Sequence, residues 1–189
     1  MKLNLWSIHP RYLYDKALLG LWRTALIARD IIEGRASGYR IKPQLYRFIN
    51  HPDPVRAINT YLYYIWLEGR ERGYKFVDHR ELRWKYIDRE GRIRVPITDG
   101  QLAFEVWNYL RNVVTKKPSW LPAFRYVECF EPNPVFKVYP GPPDPWISIS
   151  PDSINRMTKY FEFAWLKIPI RICGNIWDSE ESFQSTATL

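Results

Sequence analysis

The sequence predicts a mostly α protein. Apolar residues return at three- and four-residue spacing over three long stretches, and capping residues stand before them. Glycine or proline then closes each stretch. Hydrophobic residues make up 46% and charged residues 25% of the 189-residue chain, which excludes a disordered polypeptide. No apolar run reaches the ~18 residues a membrane-spanning helix needs. The N-terminus lacks the uninterrupted apolar stretch and small-residue cleavage site of a signal peptide, so a cytoplasmic protein is expected.

The first helix is expected to start after Asp15, read as its N-cap, and to run to about Glu33 before Gly34 stops it. Leu18, Leu21, Trp22, Ala25, Ala28 and Ile32 mark its buried face. A second helix begins at Asp53-Pro54, an N-cap followed by the residue best suited to the first helical position. Its stripe is Ile58, Tyr61, Leu62, Ile65 and Trp66, and Gly73 closes it. The pair Thr98 and Gln101 opens a third as a capping box, with Leu102, Val106, Tyr109, Leu110 and Val113 inside and Pro118 at its end. From Pro118 to Pro151 the chain is rich in proline and aromatic residues and is expected to be irregular, wrapping the helices. A fourth helix is predicted from Ser150-Pro151, carrying Ile154, Met157, Phe161 and Trp165. Ile168 to Ile172 reads as a short strand or an extended arm. Asp88-Arg89-Glu90-Gly91-Arg92 reads as a turn between two strand-like pieces.

Charge narrows the partners. Lys and Arg number 28 against 20 Asp and Glu, a net +8. Residues 178–189 hold three acids and no base, so the remaining body stands at +11. A basic body suits a polyanion, nucleic acid above all, although a solvated surface gives the same arithmetic. The stretch from Arg70 to Arg94 reads either as an ion-paired surface or as a binding stripe. Cys129 and Cys173 stand far apart without CxxC spacing, and their apolar flanks read as buried free thiols. His9, His51 and His79 show no metal-ligand spacing, and no phosphate-binding glycine loop is present. No cofactor is therefore expected.

Several short motifs occur in one order. Leu5-Trp6-Ser7-Ile8-His9-Pro10-Arg11-Tyr12-Leu13 is followed by Leu21-Trp22-Arg23 and by Gly38-Tyr39-Arg40. Pro43-Gln44-Leu45, Arg47-Phe48 and Arg72-Gly73-Tyr74 come next. Val95-Pro96-Ile97-Thr98, Gly100-Gln101-Leu102, Lys117-Pro118-Ser119-Trp120 and Pro132-Asn133-Pro134-Val135-Phe136-Lys137-Val138 complete the series, with Pro140-Gly141 after it. Together they resemble the pyrimidine dimer DNA glycosylases, the phage endonuclease V-like family, over about residues 1–146. The resemblance implies a compact helical domain that binds damaged duplex DNA. It also implies an N-terminal α-amine as nucleophile and a glutamate on the first helix that stabilises positive charge and moves protons. An α-amine suits the role because its pKa of about 7.7–8.0 leaves a neutral fraction near pH 7.

Carried over by position, the amine falls on Met1. Lys2 discourages removal of Met1 and falls on a DNA-contacting arginine. Arg23 matches the arginine before the glutamate, and the glutamate position holds Thr24: the family reads Trp-Arg-Glu where this chain reads Trp22-Arg23-Thr24. Threonine carries neither an ionisable proton near neutral pH nor a negative charge. Loss of a positioned acid–base group removes about 10²–10⁴ of rate. Helix neighbours of Thr24 at positions 20, 21, 27, 28 and 31 are not acidic. Distant carboxylates such as Glu128 and Glu131 stay open as substitutes. Lys42 stands where relatives carry histidine, and His9 either orients the site or bonds a turn.

The expected DNA contacts are Lys2, Arg23, Arg29, Arg40, Lys42, Arg47, Lys117 and Trp120. The expected organisation is a DNA-binding domain over 1–149, a helical or extended addition over 150–177 and a flexible acidic tail over 178–189. The addition, aromatic on more than one side, is expected to find cover either within its own chain or in a second copy. Two functions follow. In one, the fold keeps its grip on double-stranded DNA without glycosylase activity and coats, packages or organises it, as a viral nucleoprotein does. In the other, the chain is a repair glycosylase and lyase acting on pyrimidine dimers through the Met1 amine.

Overall fold

In the computed structural model the described residues are 5–36, 43–75, 79–147, 150, 152, 157 and 159–174. Four α-helices dominate: α1 (Asp15–Ile32), α2 (Pro43–Ile49), α3 (Pro54–Glu71) and α4 (Asp99–Lys116). The Asp53 carboxylate accepts the Arg56 amide at 2.9 Å and Pro54 occupies the first turn of α3, as the sequence predicts. Gly34 and Gly73 take φ of 72° and 70° after α1 and α3, a backbone region that costs glycine little. Asp15 is not the cap of α1. That position belongs to Tyr14, which offers no side-chain bond, and Asp15 instead accepts the Lys16 amide at 2.8 Å from inside the first turn. The Thr98 hydroxyl caps α4 through the Gln101 amide at 3.1 Å. Gln101 does not return the bond to complete a capping box, because its amide group reaches Glu105 instead.

Helices α1 and α3 pack together to form the main core. Leu18, Leu21, Trp22, Ala25 and Ala28 meet there with Ile58, Tyr61, Leu62 and Ile65, all buried. Strands β1 (Val95–Thr98) and β2 (Phe136–Tyr139) pair in parallel, Val95 opposite Phe136 and Thr98 opposite Tyr139. Parallel strands need a long crossover, and here α4 supplies it with a 3-10 segment, Pro118–Tyr126. The stretch read as irregular thus holds a nine-residue 3-10 segment and a strand. Gly100 lets the start of α4 touch the 141–143 loop: a Cβ there would stand 2.5 Å from the Gly141 carbonyl oxygen.

The predicted fourth helix is corrected over its second half. Tyr160–Phe163 and Leu166–Pro169 form an antiparallel hairpin, β3 and β4, that turns at Ala164 with φ 53°. Phe161 and Trp165, four apart, fit a helical stripe as well as a strand and its turn. Three alternate residues, Leu166, Ile168 and Ile170, are buried, and Phe161 packs edge-on against Trp107 of α4 at 6.2 Å. Part of the hairpin's cover therefore comes from its own chain, while Trp165 stays 73% exposed with Arg125 over its ring. The free-thiol expectation is also overturned: Cys129 and Cys173 form a disulfide across 44 residues of sequence. Cross-pairing of Phe130 with Ile172 beside it brings the two cysteines together, a tertiary juxtaposition that flanking composition does not report.

Candidate nucleic-acid interface

The N-terminal segment is irregular over residues 5–9, with a single bridge between Ile8 and Pro132, and then makes a 3-10 turn over Pro10–Tyr12. Buried backbone groups still need hydrogen bonds, and side chains provide them. The Leu5 amide donates to Gln44 Oε1 at 3.1 Å, and the Tyr61 hydroxyl donates to the Trp6 carbonyl at 2.5 Å. The Ser7 amide donates to Glu105 Oε2 at 2.5 Å while its carbonyl accepts the Asn133 amide at 2.7 Å. The His9 amide reaches the Glu131 carbonyl at 2.8 Å. The Tyr12 carbonyl accepts both the Tyr109 hydroxyl and Trp120 Nε1 at 3.0 Å. Arg72 donates to the carbonyls of Leu13 and Arg11. The path of residues 5–14 is thus fixed at many points.

A buried charge cluster lies at the centre of this anchoring. Arg47 Nη1 is 3.0 Å from Glu105 Oε1 and also donates to the Ser7 hydroxyl, and Arg47 Nη2 is 2.9 Å from Asp144 Oδ2. Gln101 Nε2 donates to Glu105 at 2.9 Å and Gln101 Oε1 accepts the Asp144 amide at 2.9 Å. Burial raises the Asp144 carboxyl, opposed by Arg47. Glu105, 3% exposed, was missed in the sequence, although its place three residues after Leu102 and four before Tyr109, on the apolar face of α4, signals a buried charge.

The predicted contacts divide sharply. Arg23 is exposed on α1, and Lys117 is exposed at the end of α4. Arg29 is only 5% exposed, bonded to the Glu81 carbonyl with Nη2 3.5 Å from the Glu81 carboxylate. Arg47 is committed to the cluster above, and Trp120 is half-buried with its ring N–H on Tyr12. These three hold the fold together. Met1, Lys2, Arg40 and Lys42 lie outside the described residues.

Thr24 is 7% exposed on α1. The carboxylates of α1 and its C-terminal end are engaged elsewhere: Asp30 with Arg35, and Glu33 with Arg35 at 2.8 Å, Arg83 at 3.0 Å and Asn59 at 3.2 Å. Of the two distant carboxylates, Glu128 is exposed and Glu131 pairs with Arg11. Glu131, His9, Arg94, Phe136, Lys137 and Cys173 line part of a cleft of about 500 Å³. Burial, then the charge of Arg11, lowers the His9 imidazole to about 4, against the smaller opposing pull of Glu131. His9 is therefore neutral at pH 7. Its Nδ1 accepts the Arg11 amide at 3.1 Å, which puts the ring proton on Nε2. Among the described residues no group of three or more His, Cys, Asp or Glu forms a metal site, and no helix is long and apolar enough to cross a membrane.

Residues 3–82 match the family described as pyrimidine dimer DNA glycosylase. Neither the curated proteins nor the solved structures gave a match. The resemblance in the sequence extends to residue 146, while the match ends at 82, after the N-terminal segment, α1, α2 and α3. That span carries the Trp22-Arg23-Thr24 site and the first anchors of the N-terminal segment. Over residues 3–82, less than half of its length, the chain is therefore similar to the pyrimidine dimer DNA glycosylase family.

Proposed function

We propose that the protein binds double-stranded DNA on this scaffold without glycosylase activity, and coats or organises it. The observation that carries the reading is Thr24, a side chain without charge or acidic proton where the family has its glutamate. The acids of α1 are already bound to other partners. Exposed Arg23 and Lys117, on a body of net +11, supply sequence-independent attraction for phosphates.

The fixed path of residues 5–14 favours a second reading, a lyase that works through the N-terminal amine. A nucleophile has to start from a reproducible position, and the anchors from Gln44 to Tyr109 fix the segment that follows the amine. Borohydride trapping on labelled undamaged, thymine-dimer and abasic duplexes separates the two. Binding to all three without a covalent adduct supports the DNA-binding reading. An adduct with dimer DNA, lost when the N-terminal amine is blocked, overturns it in favour of a glycosylase. An adduct with abasic DNA alone identifies a lyase that lacks the glycosylase step.

A further inference from the structure

The segment after α3 builds a surface that the Trp22-Arg23-Thr24 site does not use. A 3-10 turn, Trp84–Tyr86, lies against α3. Trp84 packs edge-on against Trp66 at 5.4 Å and against Tyr63 at 6.3 Å, yet stays 40% exposed. Arg89 lies over the Trp84 ring at 4.9 Å, Arg70 over the Trp66 ring at 5.3 Å and Lys85 over Tyr86 at 4.7 Å. Neighbouring residues hold the turn in place: Arg83 pairs with Glu33 at 3.0 Å, and the Glu81 carbonyl accepts from buried Arg29.

The charges around it are arranged unequally. Asp88 is buried, accepting the amides of Glu90 at 3.0 Å and Ile93 at 2.6 Å. Glu90 pairs with Arg92 at 3.0 Å, and Glu81 faces Arg29. Arg70, Lys85 and Arg89 are exposed and, among the described residues, have no carboxylate partner. Three cations lying on aromatic rings, with Asp88, Glu90 and Glu81 turned to other partners and Glu71 exposed beside Arg70, leave a net positive surface with a partly open indole. Phosphates satisfy the cations and an unpaired base satisfies the ring. In a duplex the base faces are stacked on each other and unavailable to the indole.

The geometry points to a second nucleic-acid site here: single-stranded DNA stacks a base on Trp84 while Arg70, Lys85 and Arg89 take its phosphates. The choice of DNA over RNA rests on the family's action on DNA; the single-strand preference rests on Trp84 alone. A protein with this site and the duplex surface near Arg23 holds a frayed or displaced strand beside the duplex from which it came.

The test is fluorescence anisotropy of the full chain with labelled dT20 and with a blunt 20-base-pair duplex. Trp84→Ala is expected to weaken dT20 binding by about five- to 150-fold, the range for loss of one stacked base. Duplex affinity stays within twofold. Trp84→Phe keeps a stacking face and restores most of the dT20 affinity, which also controls for the part of Trp84 that packs on α3. Arg89→Gln lowers the salt slope for dT20 by roughly 0.7. Unchanged dT20 affinity in Trp84→Ala, or no dT20 binding by the wild type, overturns the inference even if duplex binding is intact. Loss of duplex binding in the wild type refutes the function proposed above and leaves the strand site standing.

Discussion

Removing the Cys129–Cys173 bond tests how the C-terminal hairpin is held. The bond closes a loop across 44 residues of sequence. Constraining such a loop in the unfolded chain is worth about 4 kcal/mol by the chain-entropy relation. For 189 residues at about 2.1 cal/mol/K each, unfolding entropy near the midpoint is roughly 0.4 kcal/mol/K, so the loss converts to about 10 °C in Tm. The perturbation is the double variant Cys129→Ser/Cys173→Ser, melted against the oxidised wild type in the absence of reductant. The Phe130 amide bonds the Arg171 carbonyl at 2.7 Å and Phe161 still packs on Trp107, so the hairpin keeps contacts without the bond. Hydrogen exchange locates the effect. Amides of Ile170 and Cys173 are expected to lose more protection than that of Ala57, inside α3. A midpoint within 2 °C of the wild type would refute the loop argument. Equal loss of protection in α3 and the hairpin would refute the idea that the bond mainly secures the C-terminal segment.

Other perturbations separate structural cations from binding ones. Arg47→Met leaves Glu105 buried opposite no cation and is expected to cost about 3–5 kcal/mol in urea unfolding, with little change in the salt slope for DNA. Arg23→Ala does the reverse: stability holds within about 0.5 kcal/mol while the salt slope for duplex DNA falls by about one. The His9 imidazole, lowered to about 4 in the folded protein, binds fewer protons there than in the unfolded chain, where its value is 6.5. Its stabilising contribution is therefore present above pH 6.5 and is lost as pH falls toward 4, by as much as about 3 kcal/mol. His9→Asn preserves an acceptor for the Arg11 amide and is expected to flatten that part of the stability profile, read by urea midpoints at pH 4.5 and 7.

Much of the helical frame was legible because its signals are local. Asp53-Pro54, Thr98 and the glycines at 34 and 73 act within a few residues of themselves, and the structure obeys them. Helix α2 escaped notice because seven residues are too few to establish a period. The hairpin was read as a helix because Phe161 and Trp165 satisfy either pattern, and only the pairing with Leu166 and Ile168 decides between them. Arg29 and Arg47 illustrate a different difficulty. An arginine beside apolar residues reads equally as a phosphate contact or as a buried partner, and the deciding carboxylates and carbonyls stand 52 to 97 residues away. Thr24 stands out in sequence alone, because the motif that Trp22-Arg23 resembles carries a glutamate at the next position.

The anchoring of the N-terminal segment sets an order of events at the ribosome. Leu5, Trp6 and Ser7 are translated before α4 and the 130s, yet Ser7 needs Glu105 and Asn133 before its polar groups are satisfied. At 5–20 residues per second, the interval between synthesis of Ser7 and of Asn133 is about 6–25 s. Over that time the earliest part of the chain waits with an apolar segment uncovered while α1 and α3 have the residues they need to pair. A chain stopped before residue 133 emerges with that segment still undocked. The segment around Ser7 is thus completed by residues about 100 to 126 positions later in the chain.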